Sequence, residues 1–187
     1  MRRNSLLQLL HHYQSVDPQQ QATKHRMLEF VDTHVECFQR ELERGHMTAS
    51  SWLTNAAGDQ VLLTHHKKLN KWLQLGGHAD GDPDLLNVAI REAQEESGIQ
   101  AIEPVSTEIF DLDIHPIPAR LNEPAHDHFD VRFWLRVTDP NAEYIVGEES
   151  HDLRWFSVTM LQTMDLDASI RRMIHKWQTI TPLTLKF

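Results

Sequence analysis

The sequence has 187 residues, 40% of them hydrophobic, which is enough for one domain with a real core and too few for two full domains. Its formal net charge of −9 argues against a nucleic-acid polymer as a partner, because binding to such a backbone depends on clustered Lys and Arg side chains. A small phosphorylated metabolite or nucleotide derivative is compatible with this charge.

Three further features bear on where the protein works. No apolar run approaches the roughly 20 residues that a membrane-spanning helix needs. The amino terminus has too short an apolar stretch for a signal peptide. The single cysteine, Cys37, permits no internal disulfide, which is typical of a reducing compartment. We therefore predict a cytoplasmic protein with no membrane partner.

Residues 3–46 are rich in helix formers and carry apolar side chains at helical spacing, interrupted near Asp17 and Pro18. This pattern predicts two helices, the second ending at Gly45. We interpret residues 1–46 as a helical extension and residues 47–187 as the main domain. The extension could cover a sheet edge, build part of a pocket or form a homodimer, and the sequence leaves these roles open.

A sheet is predicted after the extension, because residues 51–53 and 61–64 flank a connection suited to a hairpin. A short strand is predicted at residues 72–75, before the next helix. The remaining predicted elements are strands at residues 102–113, 129–137 and 153–157 and helices at residues 158–164 and 168–177, with Asp167 as a possible cap for the last.

The most informative segment comprises residues 76–99. A helix is predicted there for residues 83–97, with Asp82 as the N-cap, Pro83 at the first helical position and Gly98 after the last turn. Its apolar residues recur at helical spacing, so one face can pack on a sheet; they are Leu86, Ala89, Ile90 and Ala93.

Glu92, Glu95 and Glu96 share a narrow sector of the opposite helix surface. Like charges at this spacing destabilise a helix by roughly 0.2–0.5 kcal/mol per pair, so a compensating cation is expected. Mg²⁺ and Mn²⁺ prefer carboxylate oxygens and commonly bridge them to phosphates. Gly76 and Gly77 would let the preceding loop approach such a metal closely. Taken alone, the cluster is weak evidence, because such a run of glutamates on a helix is usually a solvated face.

With its flanks, the segment resembles the box of the Nudix (MutT-like) hydrolases, G-x5-E-x7-R-E-U-x-E-E-x-G-U, where U is apolar. The matching residues are Gly77, Arg91, Glu92, Ala93, Glu95, Glu96, Gly98 and Ile99. The first glutamate of the pattern falls on Pro83, between Asp82 and Asp84. The resemblance covers roughly residues 50–177 and implies an α/β fold, the Nudix α/β/α sandwich with a mixed sheet, here preceded by the helical extension.

The resemblance also implies roles for individual residues. Glu92, Glu95 and Glu96 would hold catalytic Mg²⁺ or Mn²⁺, with the carbonyl of Gly77 joining the metal shell, and Arg91 would orient a neighbouring glutamate. Glu95, Glu96 and Arg91 are thus candidate catalytic residues. Family members often place a further carboxylate before a late strand, and our candidates are Glu149 first and Glu148 second. A charged loop in solvent is the alternative for this pair.

Histidine occurs thirteen times. The copies near the predicted site are His65, His66, His78, His115, His126 and His128. Imidazoles suit Zn²⁺ and similar metals, but an H-x-H step without a defined third ligand is weakly specific. These histidines could instead contact substrate or line the surface. His78, directly after Gly77, is the closest to the box in sequence.

The resemblance implies a pyrophosphohydrolase that cleaves a diphosphate linkage in a nucleoside diphosphate linked to another moiety, X. Candidate phosphate contacts are Lys67, Lys68, Lys71, Arg120 and Arg132. One alternative is a Nudix-fold ligand sensor or interaction module without catalysis, which the departure at Pro83 favours. The other is an isoprenoid diphosphate isomerase, whose usual form needs a cysteine within the core domain, whereas Cys37 precedes it.

Overall fold

The computed structural model describes residues 2–120 and 124–184. Its helices are α1 (Arg2–His12), α2 (Pro18–Thr33), α3 (Leu85–Ser97), α4 (Val158–Gln162) and α5 (Ala168–Thr184). Its strands are β1 (Gly45–Thr54), β2 (Gln60–His66), β3 (Lys71–Leu73), β4 (Leu75–His78), β5 (Ile102–Pro104), β6 (Asp111–Ile117), β7 (His126–Val137) and β8 (Ser150–Ser157). Within this part of the chain, no helix combines the length and apolar character needed to cross a membrane.

The strands form one mixed sheet around β1. This strand is parallel to β7 along its whole length and antiparallel to β4 in its middle and to β2 at its end. Beyond these neighbours, β7 pairs with β5 and β6, while β2 pairs with β3 and β8. The hairpin predicted between β1 and β2 is confirmed, as is the mixed sheet.

Two apolar cores lie on opposite faces of the sheet, because successive strand residues point to opposite sides. Leu53 of β1 packs in a core with residues of α1, α2 and α3. The neighbouring Trp52 packs in the other core, with Trp134 and residues of α4 and α5. Helices therefore cover both faces, which confirms the α/β/α sandwich. The amino-terminal helices share a core with the sheet, and the domain boundary at residue 46 stays a prediction.

The sheet face under α5 is apolar at one end and polar at the other. Along β1, His46, Thr48 and Ser50 point to the same side as Trp52. The polar end is not covered by α5, and it forms one wall of the cleft described below.

The second helix is shorter than predicted. Asp17 caps α2 by accepting a hydrogen bond from the backbone N–H of Gln19 (2.8 Å), with Pro18 at the first position. The helix ends at Thr33 rather than Gly45, since His34 is already extended. Residues 34–44 form turns whose Cys37 and Phe38 are buried. The buried Phe38 continues the apolar spacing of α2 into these turns, which is why we interpreted them as helical.

The box helix also begins later than predicted. Asp84, not Asp82, is the N-cap, and its carboxylate accepts from the backbone N–H of Asn87 (3.1 Å). Asp82 instead accepts from the backbone N–H of Asp84 (2.9 Å), so Pro83 precedes the helix. Gly98 has a φ of +76°, as expected after the last turn.

The strand predicted for residues 102–113 is divided. β5 and β6 both run antiparallel to the same edge of β7, but the chain between them leaves the ladder. The backbone N–H of Val105 donates to the Trp134 carbonyl, and that of Phe110 donates to the Arg132 carbonyl. Five residues along the chain between β5 and β6 therefore correspond to only two residues along β7. The residues between them form an outward loop that separates the two strands. The alternation of apolar and polar residues in the sequence does not reveal this loop.

Candidate active site

A cleft of about 820 Å³ opens where β1, β4 and β7 meet the carboxyl-terminal half of α3. It is lined by all of the predicted catalytic and metal-binding residues, namely Gly77, Arg91, Glu92, Glu95, Glu96 and Glu149. The structure thus brings the carboxylate of a distant loop together with those of the box.

Gly76 and Gly77 let β4 lie very close to its neighbours, because neither residue has a side chain. A Cβ atom on Gly77 would lie 2.2 Å from Oε2 of Glu92, and one on Gly76 would lie 2.6 Å from the carbonyl oxygen of Ala49. A side chain at Gly76 would collide with the backbone of β1, and one at Gly77 would displace the Glu92 carboxylate. The backbone N–H of Gly76 donates to Oε2 of Glu96 (2.9 Å), which fixes that carboxylate beside the loop.

Glu96 is the most perturbed carboxylate of the cleft. Burial raises its pKa to about 7, against the opposing hydrogen bond from Gly76, and the negative charges of Glu92, Glu149 and Glu95 add to the rise. The protein alone therefore does not compensate the ionised form of Glu96 at neutral pH. A cation bound at this carboxylate would supply the missing compensation.

Glu92 is half-buried, and burial raises its pKa while Arg91 opposes the shift. The Arg91 guanidinium lies 3.0 Å from Oε1 of Glu92 and 3.8 Å from Oε2 of Glu95. It also donates to the carbonyl oxygen of His78 (3.2 Å). Arg91 thus connects α3 to β4, a geometry suited to its predicted orienting role, which stays a prediction. Glu95 is largely exposed.

Glu149 lies on the loop that precedes β8. Its backbone carbonyl accepts from the N–H of Lys67 (3.0 Å), and the Lys67 ammonium donates to the Glu148 carbonyl (2.5 Å), so the turn after β2 holds the loop in place. Both carboxylates line the cleft, and the charge of Glu149 acts on Glu96.

Pro83, at the position of the missing glutamate, lies away from the cleft. It lines a separate cavity of about 230 Å³ between the start of α3 and α1, together with Leu6, Leu9 and Leu85. The substitution therefore faces the amino-terminal helices rather than the box carboxylates.

Sequence reasoning missed a polar wall on β1 and β7. The buried Asp130 carboxylate accepts from the hydroxyls of Thr48 (3.0 Å) and Ser50 (2.8 Å) and from Nε of Arg132 (2.7 Å). The polar residues that alternate with the apolar ones along β7 were the available signal.

Two of the five predicted phosphate contacts line the cleft, Lys68 and Arg120. The prediction for Arg132 is wrong, because its guanidinium is buried between Asp111 (3.3 Å), Asp113 (3.2 Å) and Asp130. Its charge is already neutralised within the protein, so it serves the packing of β6 against β7 rather than a ligand.

A group of histidines occupies the remaining wall. His46, His78 and His128, on β1, β4 and β7, place one ring nitrogen each within 4.8 Å of the others. His115 and His126 contact His128 with ring centroids 5.4 and 5.2 Å away. Burial lowers the pKa of His128 to about 2, and the neighbouring imidazoles reinforce this. His46 was missed by sequence reasoning, while His65 stacks on Trp72 instead.

The family model of the NUDIX domain matches residues 44–177. The chain belongs to the Nudix family. This Nudix chain is 27% identical to the rat protein named bis(5'-nucleosyl)-tetraphosphatase [asymmetrical] over 105 residues, which are 56% of this chain and 67% of the relative. It is a pyrophosphohydrolase of the Nudix type, as the sequence predicted.

Solved structures agree with the Nudix fold. The C. elegans Ap4A hydrolase, in a binary complex, gives a TM-score of 0.58 at 16% identity, covering 73% of this chain and 97% of that one. A NUDIX-family hydrolase from Clostridium perfringens gives 0.52 at 26% identity, with 74% and 99% covered. The amino-terminal helices α1 and α2 lie outside the matched domain.

Proposed function

We propose that this Nudix enzyme hydrolyses a diphosphate linkage in a nucleoside diphosphate joined to another moiety, X, and that it uses Mg²⁺ or Mn²⁺. The observation that carries the proposal is the convergence of Glu92, Glu95, Glu96 and Glu149 on one cleft. Its volume of about 820 Å³ is within the range of small-molecule sites.

The residues of the cleft fit a hard divalent cation. The donor set consists of carboxylate oxygens, which Mg²⁺ and Mn²⁺ prefer. Burial raises the pKa of both Glu92 and Glu96, so the protein compensates their ionised forms only in part. A Cβ atom on Gly77 would lie 2.2 Å from Oε2 of Glu92, so the backbone of Gly77 lies directly beside this carboxylate. We assign the metal to Gly77, Glu92, Glu95 and Glu96.

Such a cation, when bound, neutralises phosphate charge and lowers the pKa of an attacking water. Glu149 is then the candidate to accept the proton of that water, since it shares the cleft with Glu96. Arg91 holds Glu92 through its 3.0 Å ion pair. Lys68 and Arg120, at the rim, would bind phosphate oxygens of the substrate.

The name of the rat relative suggests one candidate for X, a phosphorylated nucleoside, so that the substrate would be a dinucleoside polyphosphate. The side chains of Lys68 and Arg120 would bind the phosphates, and the polar wall around Asp130 would bind a base or ribose. The isomerase alternative gains no support, because Cys37 is buried in the core beside α2 and does not line the cleft.

The test is turnover of a panel of nucleoside diphosphate derivatives, dinucleoside polyphosphates and nucleoside triphosphates with Mg²⁺ or Mn²⁺. The wild-type chain is compared with Glu96→Gln and with Glu108→Gln, an exposed glutamate outside the cleft. We expect metal-dependent cleavage that is lost only in Glu96→Gln, with products that identify X. Ligand binding without cleavage of any panel member would favour the sensor alternative.

A further inference from the structure

The histidines of the cleft wall meet because of strand register. In the parallel pairing of β1 with β7, His46 lies opposite His128. In the antiparallel pairing of β6 with β7, His115 lies opposite the same residue. His78 is the partner of Thr48, which shares a face of β1 with His46. Four strands therefore direct imidazoles to the same side of the sheet.

Their chemistry differs from that of the box. Imidazole nitrogens suit Zn²⁺ and neighbouring transition metals, whereas Mg²⁺ prefers oxygen. Three nitrogens within 4.8 Å of one another lie close to the separation of about 3.4 Å that tetrahedral Zn²⁺ with bonds of 2.0–2.1 Å requires. Small side-chain rotations would close the remaining gap.

We propose that His46, His78 and His128 form a second metal site, which binds a transition-metal ion of the Zn²⁺ class beside the carboxylate site. His78 and His128 line the cleft, while His46 is 1% exposed and lies behind its wall. The ion would thus join β1, β4 and β7 at the point where β4 presents Gly77 to the box.

Neighbouring groups orient imidazoles around this site. Nδ1 of His115 is 3.1 Å from Oδ2 of Asp113, and Nδ1 of His126 is 2.9 Å from the Pro124 carbonyl oxygen. Since both oxygens accept, each Nδ1 donates and each neutral ring keeps its lone pair on Nε2. His126, with its ring centroid 4.8 Å from that of His46, is the nearest candidate for a fourth ligand.

Phosphate is the competing ligand for these histidines, because His78, His115 and His128 border the cleft. An anion site would need Lys or Arg side chains, whereas the rings that contact His128 are four further imidazoles. Asp130 follows His128 on the same strand face and would repel an anion. Both features favour a metal ion over phosphate.

The test uses a chain that carries Glu92→Gln, Glu95→Gln and Glu96→Gln, so that the carboxylate site is removed. Titration with Zn²⁺, followed by calorimetry, should still show about one equivalent bound, and Co²⁺ should give the visible absorption of a tetrahedral nitrogen site. Adding His46→Phe, which keeps an aromatic ring, should weaken Zn²⁺ binding more than about 100-fold. His175→Gln, on the exposed side of α5, should change nothing.

Because His46 is buried, loss of Zn²⁺ binding in the chain with His46→Phe must be distinguished from misfolding. A second variant, His78→Gln, makes this distinction, since His78 is only half-buried. It should also lose Zn²⁺ while circular dichroism stays unchanged. The proposal is overturned if the carboxylate-free chain binds no Zn²⁺, if either histidine variant binds Zn²⁺ as tightly as the chain with all its histidines, or if the site takes inorganic phosphate instead.

Discussion

Glu149 and Glu148 are adjacent carboxylates on one loop, and only one of them is expected to accept the proton of the attacking water. We predict that Glu149→Gln lowers kcat by about 10²–10⁴-fold, the usual contribution of a general base. Glu148→Gln is the matched control and should retain most of the turnover. The measurement is kcat on any substrate that the wild-type chain cleaves, with folding checked by circular dichroism. Unchanged turnover in Glu149→Gln would remove this residue from the site.

Glu96 gives the metal-free chain a pH-dependent stability. Its pKa is about 7 in the folded chain, against an ordinary value of 4.5, so between these values the folded chain holds a proton that the unfolded chain has lost. The free energy of unfolding must therefore fall as the pH rises through this window. Glu96→Gln removes the effect and should be more stable than wild type at pH 8 by on the order of 2 kcal/mol.

Urea unfolding in the presence of a chelator, at pH 5 and pH 8, measures this difference between the two chains. Adding Mg²⁺ should restore wild-type stability at pH 8, because the cation compensates the carboxylate. If both chains lose stability equally between the two pH values, Glu96 does not titrate in this range.

Strand β4, which precedes α3, lies against Glu92 because Gly77 has no side chain. We predict that Gly77→Ala lowers turnover by about 10–100-fold, since the new Cβ, 2.2 Å from Oε2 of Glu92, forces that carboxylate to move. Gly58→Ala is the control: its φ of +76° makes alanine strained, but its Cβ meets nothing within 4 Å and lies outside the cleft.

The comparison of kcat with thermal stability separates the two glycine variants. Gly58→Ala should lose stability and keep turnover, whereas Gly77→Ala should lose turnover beyond any loss of stability. Equal turnover in both variants would show that Glu92 tolerates the displacement.

The elements that the sequence predicted best are those controlled by local chemistry. The box helix was predictable because Gly98 ends it and its apolar residues recur at helical spacing. Its start was not, since Asp82 and Asp84 are equally good caps and only the fold selects Asp84. The end of α2 was missed because Cys37 lies in a turn and is still buried, so its apolar character did not indicate that the helix had ended.

The parts of the site that were missed depend on pairing between distant strands. His46 meets His128 only because β1 and β7 are parallel neighbours in one register, which no local pattern specifies. The same holds for Asp130 with Ser50. By contrast, the box carboxylates were predictable because a single helix turn brings them together.

At the scale of the whole molecule, a buried charge network joins β6, β7 and α5. The Asp111 carboxylate accepts from Arg132 (3.3 Å), Arg172 (2.8 Å) and Lys176. We predict that Asp111→Asn destabilises the fold by about 3–5 kcal/mol, because three cations would lose their shared partner in a low-dielectric setting. Asp152→Asn, which breaks the exposed pair with Arg154, should cost less than about 1 kcal/mol.

Denaturant unfolding of the two variants checks this prediction, with turnover measured in parallel. A small effect of Asp111→Asn, similar to that of Asp152→Asn, would mean that Arg132 and Arg172 find compensation elsewhere, in Asp113 or Asp130.

The most direct test of the account is the metal dependence of hydrolysis by the intact chain. Turnover should vanish in a chelator and return with Mg²⁺ or Mn²⁺, and Glu92→Gln should require a higher metal concentration for half-maximal rate. Hydrolysis that persists in the chelator, or a metal requirement that Glu92→Gln leaves unchanged, would contradict the assignment of the cation to the carboxylates of α3.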